Sequence, residues 1–211
     1  IGAFPDWYAP PQPDWPASSE LTSFPLWDER GVTESPAEVN EFLAAGDPPI
    51  AFTPGSAMLQ GEKFFAAAAD ACRRLGRRGM LLSRHAQQIP ARLPDGVRHF
   101  AYAPFSEILP RCAALVHHGG IGTLSQALAA GVPQLVMPMA HDQPDNAARV
   151  RRLGVGSVLW PSQFRGPRVA AALAALLASA EVKANCDACA EHLADVDGLG
   201  LIADALERRF C

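Results

Sequence analysis

Short apolar runs alternate with stretches of helical period along most of this chain, and that alternation leaves few folds open. One run starts at Ile50 in "PIAFTPGS", and "GMLLS", "VRHFAYA", "AALVH", "QLVMP" and "GSVLW" follow it. Each is short and mostly apolar, too short for a helix, and separated from the next by a segment of helical period. Short buried strands joined by helices can pair only in parallel, with the helices covering both faces of the sheet. The expected fold class is therefore α/β, a Rossmann-like doubly wound parallel sheet.

The helices carry their own end signals. "SPAEVNEFLAAG" has Ser35 as a candidate N-cap, Pro36 at the first helical position and Gly46 as a candidate C-cap. "EKFFAAAADACRRLG" is amphipathic and closes at Gly76. Further helices are expected around Ser106 to Arg111, Thr123 to Ala130 and Asn146 to Leu153, and the segment from Gly166 to Phe210 reads as helical throughout.

Residues 1–34 behave differently. They are rich in proline and aromatic residues and lack either period, which predicts an extended interdomain linker or arm ahead of a domain spanning residues 35–211. Trp7, Tyr8, Trp15, Phe24 and Trp27 are out of place in a free tail, so their rings are expected to pack on this domain or on an adjoining one.

Charge and cysteine content narrow the function classes. The net charge is −4 and the 18 Lys and Arg residues are scattered, which argues against a nucleic-acid partner held by phosphate contacts. No apolar run approaches the roughly 20 residues of a membrane span. The 5 cysteines form no spaced framework, and a reduced, cytoplasmic setting is the simpler expectation. Cys186 and Cys189 make a C-x-x-C, but it lies at helical period with no second pair, a poor context for metal or redox chemistry.

Ligands of open α/β sheets bind beyond the carboxyl ends of the strands, and three polar segments fall there. In "TPGSAM", Gly55 permits close approach and Ser56 offers a hydroxyl and an amide. In "HHGGIGT", the glycines at 119, 120 and 122 form a tight turn into a helix expected to start at Thr123, where free amides and the helix dipole favour an anion. Two histidines at a strand end are a poor choice for packing alone. The turn is neither a Walker loop nor G-x-G-x-x-G. In "PMAHDQPDN", Asp142 and Gln143 can together accept from and donate to a polyhydroxylated ligand, while His141 is a second polar contact or a surface residue. The three segments together predict a site for a nucleoside diphosphate and its attached sugar.

Read as one pattern, "YAPFSEILPRCAALVHHGGIGTLSQALAAGVPQLVMPMAHDQPDNA" resembles the donor-binding signature of the nucleotide-sugar glycosyltransferases of the GT-B fold, a group with plant, macrolide, sterol and rhamnolipid members. The resemblance implies that the chain is the carboxyl-terminal half of such an enzyme. Aligned on Gly131-Val132-Pro133, it implies that His118, Gly120, Gly122 and Thr123 meet the donor diphosphate together with Ser56. Tyr102 falls at the aromatic position that stacks on the pyrimidine, and Phe105 at the position whose backbone pairs with the base. Asp142 and Gln143 match the pair that binds hydroxyls of the transferred sugar. Gln126 departs from the pattern, standing where many members carry a ribose-binding Glu.

The implied reaction is inverting transfer of a hexose from a UDP- or dTDP-sugar to an acceptor hydroxyl, with no metal and no cofactor. The resemblance puts the catalytic base, usually a His paired with an Asp, in an amino-terminal acceptor domain, so no catalytic residue is expected here. A chain of this kind is expected to bind donor and to transfer little or nothing by itself. Two other readings stay open on the sequence: a noncatalytic nucleotide-sugar-binding auxiliary subunit, and an epimerase or transferase of the same fold that acts on UDP-amino sugars.

Overall fold

In the computed structural model of the chain, the described residues are 1–28, 36–55 and 60–210. Strands β1 (Ile50–Thr53), β2 (Gly79–Leu82), β3 (Val97–Phe100), β4 (Ala114–His117), β5 (Gln134–Val136) and β6 (Gly156–Val158) form one sheet of 6 strands in the order β3-β2-β1-β4-β5-β6. Every pairing is parallel, as the apolar runs predict. The order reverses between β1 and β4, whose register sets Phe52 beside Val116 and Thr53 beside His117.

Helices α1 (Ala37–Ala44), α2 (Glu62–Leu75), α3 (Phe105–Ile108), α4 (Ile121–Ala129), α5 (Gln143–Arg152), α6 (Gly166–Ala178), α7 (Ala180–Leu193) and α8 (Gly198–Phe210) fill the connections and the carboxyl end. Because successive strand residues face opposite sides, each central strand contributes to two cores. Ile50, Phe52, Leu81, Ala114 and Val116 pack with Phe64, Phe65, Ala68 and Cys72 of α2 and Val169 and Leu173 of α6. Ala51, Met80, Leu82 and Leu115 face the other way, onto Val39, Phe42 and Leu43 of α1 and Ala127 of α4. This is the expected doubly wound, Rossmann-like sheet.

The arm packs on the domain. Tyr8, Ala9 and Phe24 are buried with Leu124 and Leu128 of α4, Ala147 and Val150 of α5, and Cys186 and Cys189 of α7. Tyr8 and Phe24 meet edge to face with centroids 5.1 Å apart, and Trp7 sets its edge against Phe24 and against His192 of α7. A parallel bridge between Gly2 and Leu21 closes the arm on itself. Helix α8 lies against the arm, with Arg208 paired to Glu20 and Arg209 donating to the Ser18 carbonyl.

Several helix ends differ from the sequence expectation. Helix α1 starts at Ala37, because Pro36 has extended ψ of 138° and caps the helix instead of entering it; Ser35 lies outside the described residues. Its C-cap is Ala45 rather than Gly46, with the amide turning back to the Phe42 carbonyl. Helix α4 starts at Ile121, two residues ahead of Thr123, and α5 at Gln143, three ahead of Asn146. Gly76 closes α2 as expected, in the left-handed region at φ 60°. Cys186 and Cys189 are buried on α7, and desolvation pushes the Cys186 thiol up to about 12, which keeps it protonated. No single described helix is long and apolar enough to cross a membrane.

Candidate functional site

A cleft of about 700 Å³ opens beyond the carboxyl ends of β1, β2 and β4. It lies at the switch point of the strand order, where the two halves of the sheet diverge and a crevice is left between their crossover connections. Its lining brings together Gly55 after β1, Ser83, Arg84 and His85 after β2, Tyr102 and Phe105 after β3, and Gly122, Thr123 and Gln126 of α4. Of the residues singled out in the sequence, Tyr102, Phe105, Gly122, Thr123 and Gln126 therefore share one cavity. Ser56 lies outside the described residues.

The two adjacent histidines divide in role. His117 ends β4 with its side chain fully buried; its Nε2 is 3.0 Å from Gln134 Oε1, and its Nδ1 accepts the Gly119 amide at 3.1 Å. Burial pushes its pKa down to about 3, with the neighbouring His118 acting in the same direction, so it is a neutral strut that holds the turn. His118 points the other way, and its ring occupies a slot made by two glycines. A Cβ on Gly55 would come within 2.6 Å of the ring and a Cβ on Gly120 within 2.4 Å. Gly55 thus makes room for His118 and also lines the cleft. His118 is half-buried, and its Nδ1 is shielded and unpartnered among the described residues. Desolvation lowers its pKa below the ordinary histidine range and the charge of Asp142 opposes that shift. Such an imidazole is neutral at pH 7, free to donate from one nitrogen and accept at the other.

The glycine turn leads straight into α4. Gly119 has φ +94°, a backbone conformation that a side chain would strain, and a Cβ there would also meet Val136 at 2.9 Å. Gly120 is the N-cap, so the amides of Ile121, Gly122 and Thr123 have no acceptor within the helix, and the positive end of its dipole faces the cleft. Gly122 differs from the other two: a Cβ there would meet nothing within 4 Å. The protein's own packing does not require a glycine at this position, which borders the cavity.

Asp142 and Gln143 stand beside the turn rather than in the 700 Å³ cavity. The side-chain Oε1 of Gln143 accepts from the amides of Met139 and Ala140, at 2.9 and 3.3 Å, and so folds back over its own loop. Gln143 Oε1 is engaged in this way because α5 begins at Gln143 and the preceding amides need an acceptor, which leaves its amino group as the donor. His141 is exposed at φ +58° and accepts the tight bend before α5. The loop and the turn are joined by Asn146, which donates through Nδ2 to the Gly119 carbonyl at 2.9 Å and to Asp142 Oδ2 at 2.8 Å.

The sequence reading missed residues at both ends of the cleft. Trp27 and Asp28 of the arm line it. The Asp28 carboxylate accepts the Ser106 amide at 2.6 Å, and its backbone carbonyl accepts the Tyr102 hydroxyl at 2.7 Å. Arg84 places its guanidinium 5.6 Å from the Tyr102 ring centroid. The aromatic density of the arm signalled packing, but nothing local marked Asp28. Asn146 was legible only as part of a helix, although its spacing of four from Asp142 is that of facing side chains on a helix.

Sheet order, crossover helices and a cleft at the switch point define a Rossmann-like α/β domain with an open cleft on the carboxyl edge of its sheet. Residues 80–197, more than half of the chain, match the family described as erythromycin biosynthesis protein CIII-like, C-terminal domain, and the chain belongs to that family. It is 39% identical over 150 residues to the O-mycaminosyltylonolide 6-deoxyallosyltransferase of Streptomyces fradiae, covering 70% of this chain and 34% of that protein. It is 37% identical over 207 residues to glycosyltransferase GtfC of Amycolatopsis orientalis, covering 95% of this chain and 49% of that one. The chain therefore spans between about a third and a half of these relatives.

Solved structures give the same fold. The spinosyn forosaminyltransferase SpnP superposes with a TM-score of 0.76 at 25% identity, over 90% of this chain and 49% of that one. The spinosyn rhamnosyltransferase SpnG, solved with thymidine diphosphate, superposes with a TM-score of 0.77 at 21% identity, over 93% of this chain and 54% of that one. The fold is one half of the GT-B architecture, as the sequence resemblance implied.

Proposed function

We propose that this chain is the donor-binding half of an inverting glycosyltransferase that moves a hexose from a UDP- or dTDP-sugar to an acceptor hydroxyl. The observation that carries the reading is the glycine-capped N-terminus of α4, whose Gly122 and Thr123 border a nucleotide-sized cleft at the switch point together with Tyr102, with the His118 imidazole seated beside it against Gly55 and Gly120. A diphosphate fits that end of the site because the amides of Gly122 and Thr123 donate along the helix dipole. His118 adds a hydrogen bond without requiring a charge in the free protein. The leaving diphosphate of a glycosyl donor needs the same stabilisation as negative charge develops on it.

At the other end Tyr102, anchored through its hydroxyl, offers a ring for the pyrimidine, and Phe105 starts α3 beside it. Gln126, nearly buried on α4, faces the space between base and phosphates. Asp142 and the amino group of Gln143 lie past His118, where the sugar would project. Helix dipole and imidazole take the role of a metal at the diphosphate. Among the described residues no three His, Cys, Asp or Glu side chains cluster with metal-binding geometry. The acceptor site and the catalytic base are assigned to an adjoining amino-terminal domain, for which residues 1–34 serve as linker.

Calorimetric titration of the chain with UDP and with dTDP, repeated on His118→Ala, tests this reading. Saturable binding of one or both nucleotides that weakens at least tenfold in the variant is the expected result, about 1.4 kcal/mol of a charge-assisted hydrogen bond. Failure of the wild-type chain to bind either nucleotide overturns the reading. Should it hold, the ratio of the two affinities ranks the uridine against the thymidine donor.

A further inference from the structure

The buried hydrogen bonds behind the site run back into the arm. Tyr8 is 2% exposed, and its hydroxyl donates to Asn146 Oδ1 at 2.7 Å across 138 positions of sequence. The amide it meets, 5% exposed, spends both donor hydrogens on the opposite side, one on the Gly119 carbonyl and one on the Asp142 carboxylate. Rotating that amide by half a turn would set its oxygen against a carbonyl and a carboxylate, with its amino group facing the tyrosine hydroxyl. The phenol is kept protonated by desolvation, which raises its pKa well above the usual tyrosine value. Its proton is therefore available to the Asn146 oxygen at any physiological pH.

Tyr8 itself has little freedom. Phe24 and Phe4 meet the edges of its ring, Arg149 stands 5.5 Å from the ring centroid, and Arg152 donates to its backbone carbonyl. We propose that Tyr8 is a positioning residue for the donor site: its hydroxyl, through Asn146, fixes the Gly119 carbonyl and the Asp142 carboxylate and so holds the shape of the diphosphate turn. The turn is then held from both sides, with His117 Nδ1 on the Gly119 amide and Asn146 on the Gly119 carbonyl. Adjusting either would move His118 and the start of α4 with it.

The inference rests on the donor-binding reading, and one experiment separates the two. UDP and dTDP affinities are measured by calorimetry on the wild-type chain, on Tyr8→Phe and on Phe24→Leu, together with thermal unfolding of each. Tyr8→Phe removes one oxygen and keeps the ring packing, so the fold survives. Phe24→Leu loosens the same arm cluster and leaves the hydroxyl relay in place. A five- to tenfold loss of affinity in Tyr8→Phe, with Phe24→Leu close to wild type despite equal or greater thermal destabilisation, is the expected result. Unchanged affinity in Tyr8→Phe overturns the relay. Equal losses in both variants reduce Tyr8 to arm packing and overturn it as well. A wild-type chain that binds neither nucleotide instead removes the donor reading on which the relay stands.

Discussion

His117 and His118 are neighbours in sequence and opposites in environment. Side chains alternate along a strand, so the end of β4 sends one imidazole into the core and the next to the other side, against Gly55 and Gly120. The sequence marked the pair as unusual but could not divide it, because the division depends on where the strand ends and on Gln134, which lies on β5. The same holds for Gly55, whose use is set by a histidine 63 positions further on (118 − 55). The buried partner has a consequence for stability. With a native pKa pushed down to about 3 and an unfolded value near 6.5, His117 stays neutral in the folded chain while the unfolded chain takes up a proton. The stability it contributes is complete above about pH 6.5 and is lost as pH falls from there towards 3, at about 1.4 kcal/mol per pH unit. His118, also depressed, acts in the same direction. Urea unfolding at pH 7.5 and 5.5 should show a steeper loss for the wild type than for His117→Asn, by about 1.4 kcal/mol over the unit below 6.5. Equal losses would mean that this histidine is not held neutral in the fold.

At the scale of elements, types were readable and boundaries were not. Each of the six expected strands is present, because short, mostly apolar runs have nowhere to go but a doubly covered sheet. The starts of α4 and α5 fell earlier than expected, and both shifts carry the polar segments with them: Thr123 sits inside the first turn of α4, and Gln143 opens α5. Periodicity is blind there, since the first turn of a helix looks like a loop until its cap is known. The glycines of α4 show how function can be told from packing within one turn. Gly119 is demanded by its backbone and Gly120 by the His118 ring, whereas Gly122 has open space where a side chain would begin. Glycine in a helix costs up to about 1 kcal/mol relative to other residues, so Gly122→Leu should leave thermal stability equal or higher. Its side chain would enter the cleft, and UDP and dTDP binding should fall at least tenfold. A stable variant with wild-type affinity would show that the nucleotide does not pass over the first turn of α4.

The whole molecule was legible as a Rossmann-like domain with polar segments gathered on the carboxyl edge of its sheet, and its arm was legible only as something that must pack somewhere. Which surface the rings would meet could not be read, because α4, α5 and α7 form their common groove only after the sheet has brought them together. That groove now explains why a proline-rich segment without secondary structure is ordered: Tyr8 and Phe24 complete a core cluster that Leu124, Leu128 and Val150 cannot close by themselves. Burying two such rings contributes about 2 to 3 kcal/mol each, a large part of the roughly 5 to 15 kcal/mol that holds an ordinary domain together. Deleting residues 1–28 should therefore lower the unfolding free energy by about 4 to 6 kcal/mol, read as a fall in the urea midpoint. It should also expose the apolar groove, giving a concentration-dependent increase in particle size by light scattering. The same deletion removes Tyr8 behind the turn and Trp27 and Asp28 from the cleft lining, so any nucleotide affinity left in the shortened chain should be weaker than in Tyr8→Phe alone. Stability and affinity that both survive the deletion would show that the arm merely rests on the domain, and that the carboxyl-terminal half builds its donor site without help from the chain that enters it.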